Sequence, residues 1–166
     1  MRQKMSTPPW HSEDSPAAQS AVDVLPENRA GALWHICLTA NSFVFPIYAQ
    51  FERDHGITRM EFVVMFVLSH RPRATATDII RMTALPKNNI SRGVNRLLQK
   101  GLIRRLDDKE DGRRRILELS SKGRSLMNIL LPQYSQRARG FLDRLDATDR
   151  RDLSRIILKL AGAIAV

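Results

Sequence analysis

The spacing of apolar side chains divides the sequence into helices with short breaks between them and one stretch of strand-like alternation. In residues 28–55, Leu33, Ile36, Cys37, Phe43, Val44, Ile47 and Phe51 recur at mixed three- and four-residue steps, which predicts a long helix. Pro46 is expected to kink or break it, because proline lacks an amide donor and crowds the preceding turn. Gly56 ends it. Thr58 with Glu61 three residues later forms a capping box for a second helix. Residues 60–68 are apolar almost all round, so this helix should be buried, and Arg71-Pro72 stops it. A third helix starts at Thr75, with Asp78 three residues on, and ends near Thr83. Leu85-Pro86 restarts the chain into a fourth helix that runs to about Lys100, closed by Gly101.

Two short strand-like segments follow, Leu102–Leu106 and Arg114–Leu119, joined by the acidic loop 107–112. Ser120 or Ser121 caps a fifth helix with Leu126, Ile129 and Leu130 on one face and a bend expected at Pro132. A last helix begins at Thr148. Its Leu153, Ile156, Ile157, Leu160, Ala161 and Ile164 form an unbroken apolar stripe. The order is helix-helix, helix-turn-helix, hairpin, helix-helix. This is a mainly α chain built on a winged helix-turn-helix with a β-hairpin wing. The flanking helices carry more apolar stripe than a lone winged helix needs, and a second copy of the chain is expected to cover it. The chain divides into an N-terminal tail (1–27, rich in Pro, Ser and acids, expected to be flexible), a first dimerisation region (28–56), the winged helix (57–121) and C-terminal dimerisation helices (122–166).

Composition narrows the function classes. Only 6% of the 166 residues are aromatic, which argues against an all-β sandwich, and the single cysteine excludes a disulfide framework or a Cys-based zinc site within one chain. No apolar run is long enough to span a membrane, and the first 30 residues lack the apolar stretch of a secretory signal, so a cytoplasmic location is expected. The formal net charge is +10. Residues 71–124 hold fifteen Lys or Arg against six Asp or Glu, a net +9, so almost the whole excess sits in one third of the chain. Such a concentrated field points to a polyanion partner, double-stranded DNA before membrane.

On a helical wheel of the fourth helix, Ile90, Val94, Leu97 and Leu98 make the core face. Opposite them lie Asn88, Ser91, Arg92, Asn95 and Gln99. A merely solvated face would be rich in Glu–Lys pairs, whereas these side chains match major-groove readout, Arg pairing with guanine and Asn with adenine. Asn88 and Asn89 stand near the helix start, where a recognition helix meets bases, with Asn89 as N-cap the alternative. Arg96 belongs to the same DNA-binding set. In the wing, Arg113 and Arg115 share one strand face and Arg114 takes the other. An Arg at a hairpin tip suits the minor groove, and Arg113 is the chosen contact. Pairing of some of these arginines with Asp107, Asp108, Glu110 or Asp111 is also expected. Arg73, Thr75 and Thr77 could reach phosphates from the third helix, with helix capping the alternative for Thr75.

Residues 85–103, LPKNNISRGVNRLLQKGLI, resemble the recognition helix and following strand of the MarR family of bacterial transcriptional regulators. The run Asp108-Lys109-Glu110-Asp111-Gly112-Arg113-Arg114-Arg115, leading to Leu117-Glu118-Leu119-Ser120-Ser121-Lys122-Gly123, is similar to that family's wing signature. The resemblance extends over about residues 30–163. It implies a homodimer joined through the first, fifth and sixth helices and a pseudo-palindromic operator with half-sites about one helical turn apart. By position it gives Ser91 and Arg92 base-reading roles and Arg113 the role of wing arginine. Asn95 departs from the family pattern, which often has an Asp that can hold a wing Arg.

The resemblance further implies release of DNA by a small ligand, often a phenolic or aromatic acid. Trp34, His35, Phe43 and Arg59 are the candidate ligand residues, an aromatic plus a cation suiting an aromatic carboxylate; packing in the core is the alternative for the aromatics. Cys37 raises a redox alternative, since the family's hydroperoxide sensors use a Cys in the first helix. The positions that would carry the partnering tyrosines are Asn41, Phe51 and Phe62 here, none with a hydroxyl, and a buried Cys37 would be inert. The four histidines share no metal-ligand or catalytic spacing, so neither a metal, a cofactor nor an enzyme activity is expected. The sequence thus reads as a ligand-responsive repressor. A winged-helix module for protein interaction or DNA architecture, without ligand response, is the alternative.

Overall fold

Two capping boxes and one Schellman turn set the boundaries of the helix-turn-helix segment. The computed structural model describes residues 29–107 and 115–164. Helix α1 (Arg29–His55) leads to α2 (Arg59–His70), whose N-cap is Thr58: its hydroxyl accepts from the Glu61 amide while the Glu61 carboxylate accepts from the Thr58 amide. A two-residue strand β1 (Ala74–Thr75) precedes α3 (Ala76–Thr83), which Thr75 and Asp78 cap in the same reciprocal way. The turn after α3 places Ala84 at φ 52°, in the left-handed region that L side chains rarely adopt. Helix α4 (Lys87–Gln99) ends in a Schellman motif: Leu102 N–H donates to Leu97 O and Gly101 N–H to Leu98 O, with Gly101 at φ +66°. Strands β2 (Ile103–Asp107) and β3 (Arg115–Leu119) form the wing. Helices α5 (Ser121–Leu142) and α6 (Ala147–Ile164) complete the chain.

The sheet has the order β1-β3-β2 and is antiparallel throughout. Ile103 faces Leu119, Arg104 faces Glu118 and Asp107 faces Arg115, while β1 pairs Ala74 with Leu117. Strand β1 has no signal in the local pattern, because two residues carry no periodicity.

The chain separates into two compact units, residues 1–44 and 45–166, and α1 runs from one into the other. In the second unit, Ile47, Phe51, Phe62, Met65, Leu68, Ile79, Ile90, Leu97, Leu117 and Leu130 make the solvent-free centre. In the described part of the first unit, Leu33, Trp34 and Ile36 are exposed.

Several expectations change in detail. Pro46 neither breaks nor ends α1, which is one element over 27 residues; a single missing amide is outweighed by the bonds on either side. Pro132 likewise lies inside a continuous α5. Pro86 is the N-cap of α4 rather than its first helical residue. Ile129 is exposed, and Met127 takes its place in the core beside Leu130, one turn after buried Gly123. Helix α6 starts at Ala147, because Asp146, not Thr148, caps it: Asp146 Oδ1 accepts from the amides of Thr148 (2.7 Å) and Asp149 (2.8 Å). The N-terminal tail, residues 1–27, lies outside the described residues.

Candidate nucleic-acid interface

Helix α4 sorts its side chains cleanly between core and solvent. Ile90, Val94 and Leu97 are buried, and Leu98 is half-buried. Asn88, Arg92, Asn95, Arg96 and Gln99 are exposed, and Ser91 and Asn89 are half-buried. Asn89 does not cap the helix; its Oδ1 accepts from Arg92 Nη2 at 2.8 Å. The guanidinium is thereby held one turn back, toward the helix start, while its remaining N–H groups stay available for a bidentate acceptor. Five amides and guanidiniums in one exposed row, with no carboxylate on α4, constitute a surface rich in hydrogen-bond donors.

The neighbouring elements add positive charge. Arg73 and Thr77 are exposed at the start of α3. The Thr75 hydroxyl is occupied in its own cap, accepting from the Asp78 amide (3.1 Å) and donating to Asp78 Oδ2 (2.8 Å). On the wing, Arg115 pairs across the strands with Asp107, and Arg104 with Glu118. Arg104 and Arg105, both exposed on β2, were not singled out by sequence reasoning; the run of two basic residues just before the wing loop was the available signal. Arg113 and Arg114 lie outside the described residues.

Residues 55–114 match the MarR family model, a span from the end of α1 to the residue before β3. The transcriptional repressor NicR of Pseudomonas putida is 23% identical over 149 residues, covering 90% of this chain and 94% of the relative. The transcriptional regulator HosA of Escherichia coli is 23% identical over 107 residues, 64% of this chain and 79% of HosA. Solved structures agree in fold. A MarR family regulator from Streptomyces coelicolor in complex with DNA superposes with a TM-score of 0.76 at 21% identity, covering 86% of this chain and 91% of that one. Bordetella bronchiseptica BpsR, solved to explain regulation of its DNA binding by 6-hydroxynicotinic acid, gives 0.69 at 22% identity, covering 81% and 99%.

The ligand candidates fall in both units. Trp34 is exposed, Phe43 is half-buried, and His35 Nε2 is shielded from solvent with no hydrogen-bond partner among the described residues. Cys37 is exposed rather than buried, so the packing reason for its inertness does not hold in the single chain. Arg59 stands in the second unit, its guanidinium 5.7 Å from the Tyr48 ring centre.

Around that pair lies an aromatic cluster that sequence reasoning did not assemble. Phe62 has the rings of Phe51, Tyr134, Tyr48 and Phe66 at 4.9, 5.3, 5.7 and 5.8 Å. Burial pushes the Tyr48 hydroxyl up to about 12 and raises that of Tyr134, while Arg137 nearby on α5 is lowered by burial. Phe51 and Phe62, apolar positions that offer no hydroxyl, are core aromatics as their helices' patterns predict. Tyr48 and Tyr134 supply the phenols instead.

A second omission is Glu61, the only buried charged side chain among the described residues. Its helix-capping role was legible; its tertiary partner was not. Lys100 Nζ, at the end of α4, reaches Glu61 Oε1 at 2.5 Å and the Gly56 carbonyl at 2.7 Å. Burial alone would raise the Glu61 carboxyl, but hydrogen bonds from Lys100 and Thr58 and the Lys100 charge hold it below the ordinary value.

Proposed function

We propose that the protein is a ligand-responsive transcriptional repressor that binds a pseudo-palindromic operator as a homodimer. The observation that carries this is the exposed row Asn88, Arg92, Asn95, Arg96 and Gln99 on α4, inside a region of net charge +9. The α4 row enters the major groove, with Arg92, Asn95, Asn88 and Ser91 reading base edges. Arg113 reaches the adjacent minor groove, and Arg73, Thr77 and Arg96 hold phosphates. Helices α1, α5 and α6 join the two copies.

A hydroxylated aromatic acid is the effector class. The relative BpsR is regulated by 6-hydroxynicotinic acid, and here Arg59 stands beside the phenol-bearing cluster of Tyr48 and Tyr134. A guanidinium satisfies a carboxylate and the aromatic rings pack the acid's ring. Trp34, His35 and Phe43 remain candidates on α1.

A gel shift on the DNA upstream of the protein's own gene, with random DNA as competitor and a salt series, tests the reading. A discrete complex that survives competitor is expected. If about 6–10 phosphates are neutralised per dimer, the log–log salt slope is near −5 to −9. The same probe then serves a screen of hydroxylated pyridine and benzene carboxylates for release. Binding lost equally to all DNA would instead favour an architectural or protein-interaction module.

A further inference from the structure

The first turn of α2 touches the recognition helix at two separate points. In the middle of α4, Gly93 packs so close that a Cβ there would lie 3.2 Å from the Met60 carbonyl oxygen. At its C-terminal end, Lys100 closes on Glu61, whose side chain has no exposure to solvent, and on the Gly56 carbonyl in the turn between α1 and α2. Glu61 Oε2 is meanwhile held by the Thr58 amide (2.7 Å) and hydroxyl (2.8 Å). One carboxylate therefore joins the α2 cap to the end of α4, and one ammonium joins that end to the α1–α2 turn. Two contacts about two turns apart on one helix fix its tilt as well as its position.

We propose that Glu61 and Lys100 are positioning residues for operator recognition, and that the Gly56–Glu61 segment is the seat that sets how α4 enters the groove. The inference rests on the DNA-binding reading above. Burying a carboxylate is costly without partners, and a well-packed apolar pair would serve stability as well. A fixed, directional pair serves orientation, because base readout requires side chains placed within about 0.5 Å.

The sign of one substitution separates this role from simple electrostatics. Glu61→Gln removes a negative charge from a protein that binds a polyanion. If Lys100 served only as a phosphate contact restrained by Glu61, the variant would bind all DNA more tightly. We expect the opposite on operator: about tenfold weaker binding, with random-DNA binding changed less than twofold and a folded protein by circular dichroism. Lys100→Met should lose operator affinity in the same selective way, and Lys100→Arg, which can still bridge carboxylate and carbonyl, should restore most of it. Equal loss on both DNAs for Lys100→Met, with the salt slope reduced by about one, would make it a phosphate contact and overturn the proposal. So would a folded Glu61→Gln that binds operator as well as wild type. Should Glu61→Gln fail to fold, the two Lys100 variants decide alone. Failure of the wild-type protein to prefer operator over random DNA would count against the DNA-binding reading itself, a distinct outcome.

Discussion

Arg92 shows how far a single side chain can be read. Its place on the face opposite Ile90, Val94 and Leu97 follows from a 100° step per residue. Its hydrogen bond to Asn89 does not, because N-capping was the alternative use of Asn89 until Pro86 proved to hold that position. Arg92→Ala is expected to cost about 1–3 kcal/mol on operator, about 5- to 150-fold in Kd, and to relax specificity at one base pair. Titration against operator variants checks it; a loss equal on random DNA would reduce Arg92 to a phosphate contact. Glu61 gives a second residue-scale expectation. Its carboxyl is held below its unfolded value of about 4.5, so its contribution to stability is complete above that pH and fades as pH falls through the lower folded value. The stability gap between wild type and Glu61→Gln in urea should therefore narrow in acid. A gap that widens would contradict the assigned direction.

At the scale of elements, local rules located most boundaries. The boxes Thr58/Glu61 and Thr75/Asp78 and the Gly101 terminator all appear where short-range chemistry requires them. What the sequence left out is tertiary. Strand β1 exists because β3 lies beside it, and Lys100 meets Glu61 across 39 positions of chain. Gly123 has the same character. A Cβ there would lie 2.0 Å from the Leu102 carbonyl oxygen, where α5 begins against the strand entry. Backbone on that side cannot yield cheaply, so Gly123→Ala is expected to cost about 3 kcal/mol of stability. Ala84→Gly should act with opposite sign. Relief of the left-handed strain at φ 52°, less the added freedom of the unfolded chain, leaves a gain of about 0.5–1 kcal/mol. Thermal melts of the two variants compare them directly, and a destabilised Ala84→Gly would show that the turn is not strained.

For the whole molecule, the decisive feature is an apolar surface that one chain leaves uncovered. Leu153, Ile156, Ile157 and Leu160 lie at helical spacing on α6, and all are exposed, Ile157 at 52%. A solvated helix has no reason to align four large aliphatic groups, and burying each would yield about 1.5–3 kcal/mol. The stripe was legible because period 3.6 is the strongest signal a sequence carries; its occupant was inferred because the flanking helices carry more apolar stripe than a lone winged helix needs. In the proposed homodimer a two-fold partner would offer the same stripe in return, and an operator with two half-sites would bind both winged domains at once. Joining two modest sites gains far more affinity than either has alone, so in that homodimer the subunit contact would govern DNA binding from a distance. Ile157→Asp places a charge in the centre of that contact. The variant is expected to sediment as a monomer, to keep its helical circular dichroism from the separately cored winged helix, and to lose operator binding by at least about 100-fold. A monomer that still bound the full operator tightly would detach recognition from dimerisation. An Ile157→Asp protein that remained dimeric would move the subunit contact away from α6.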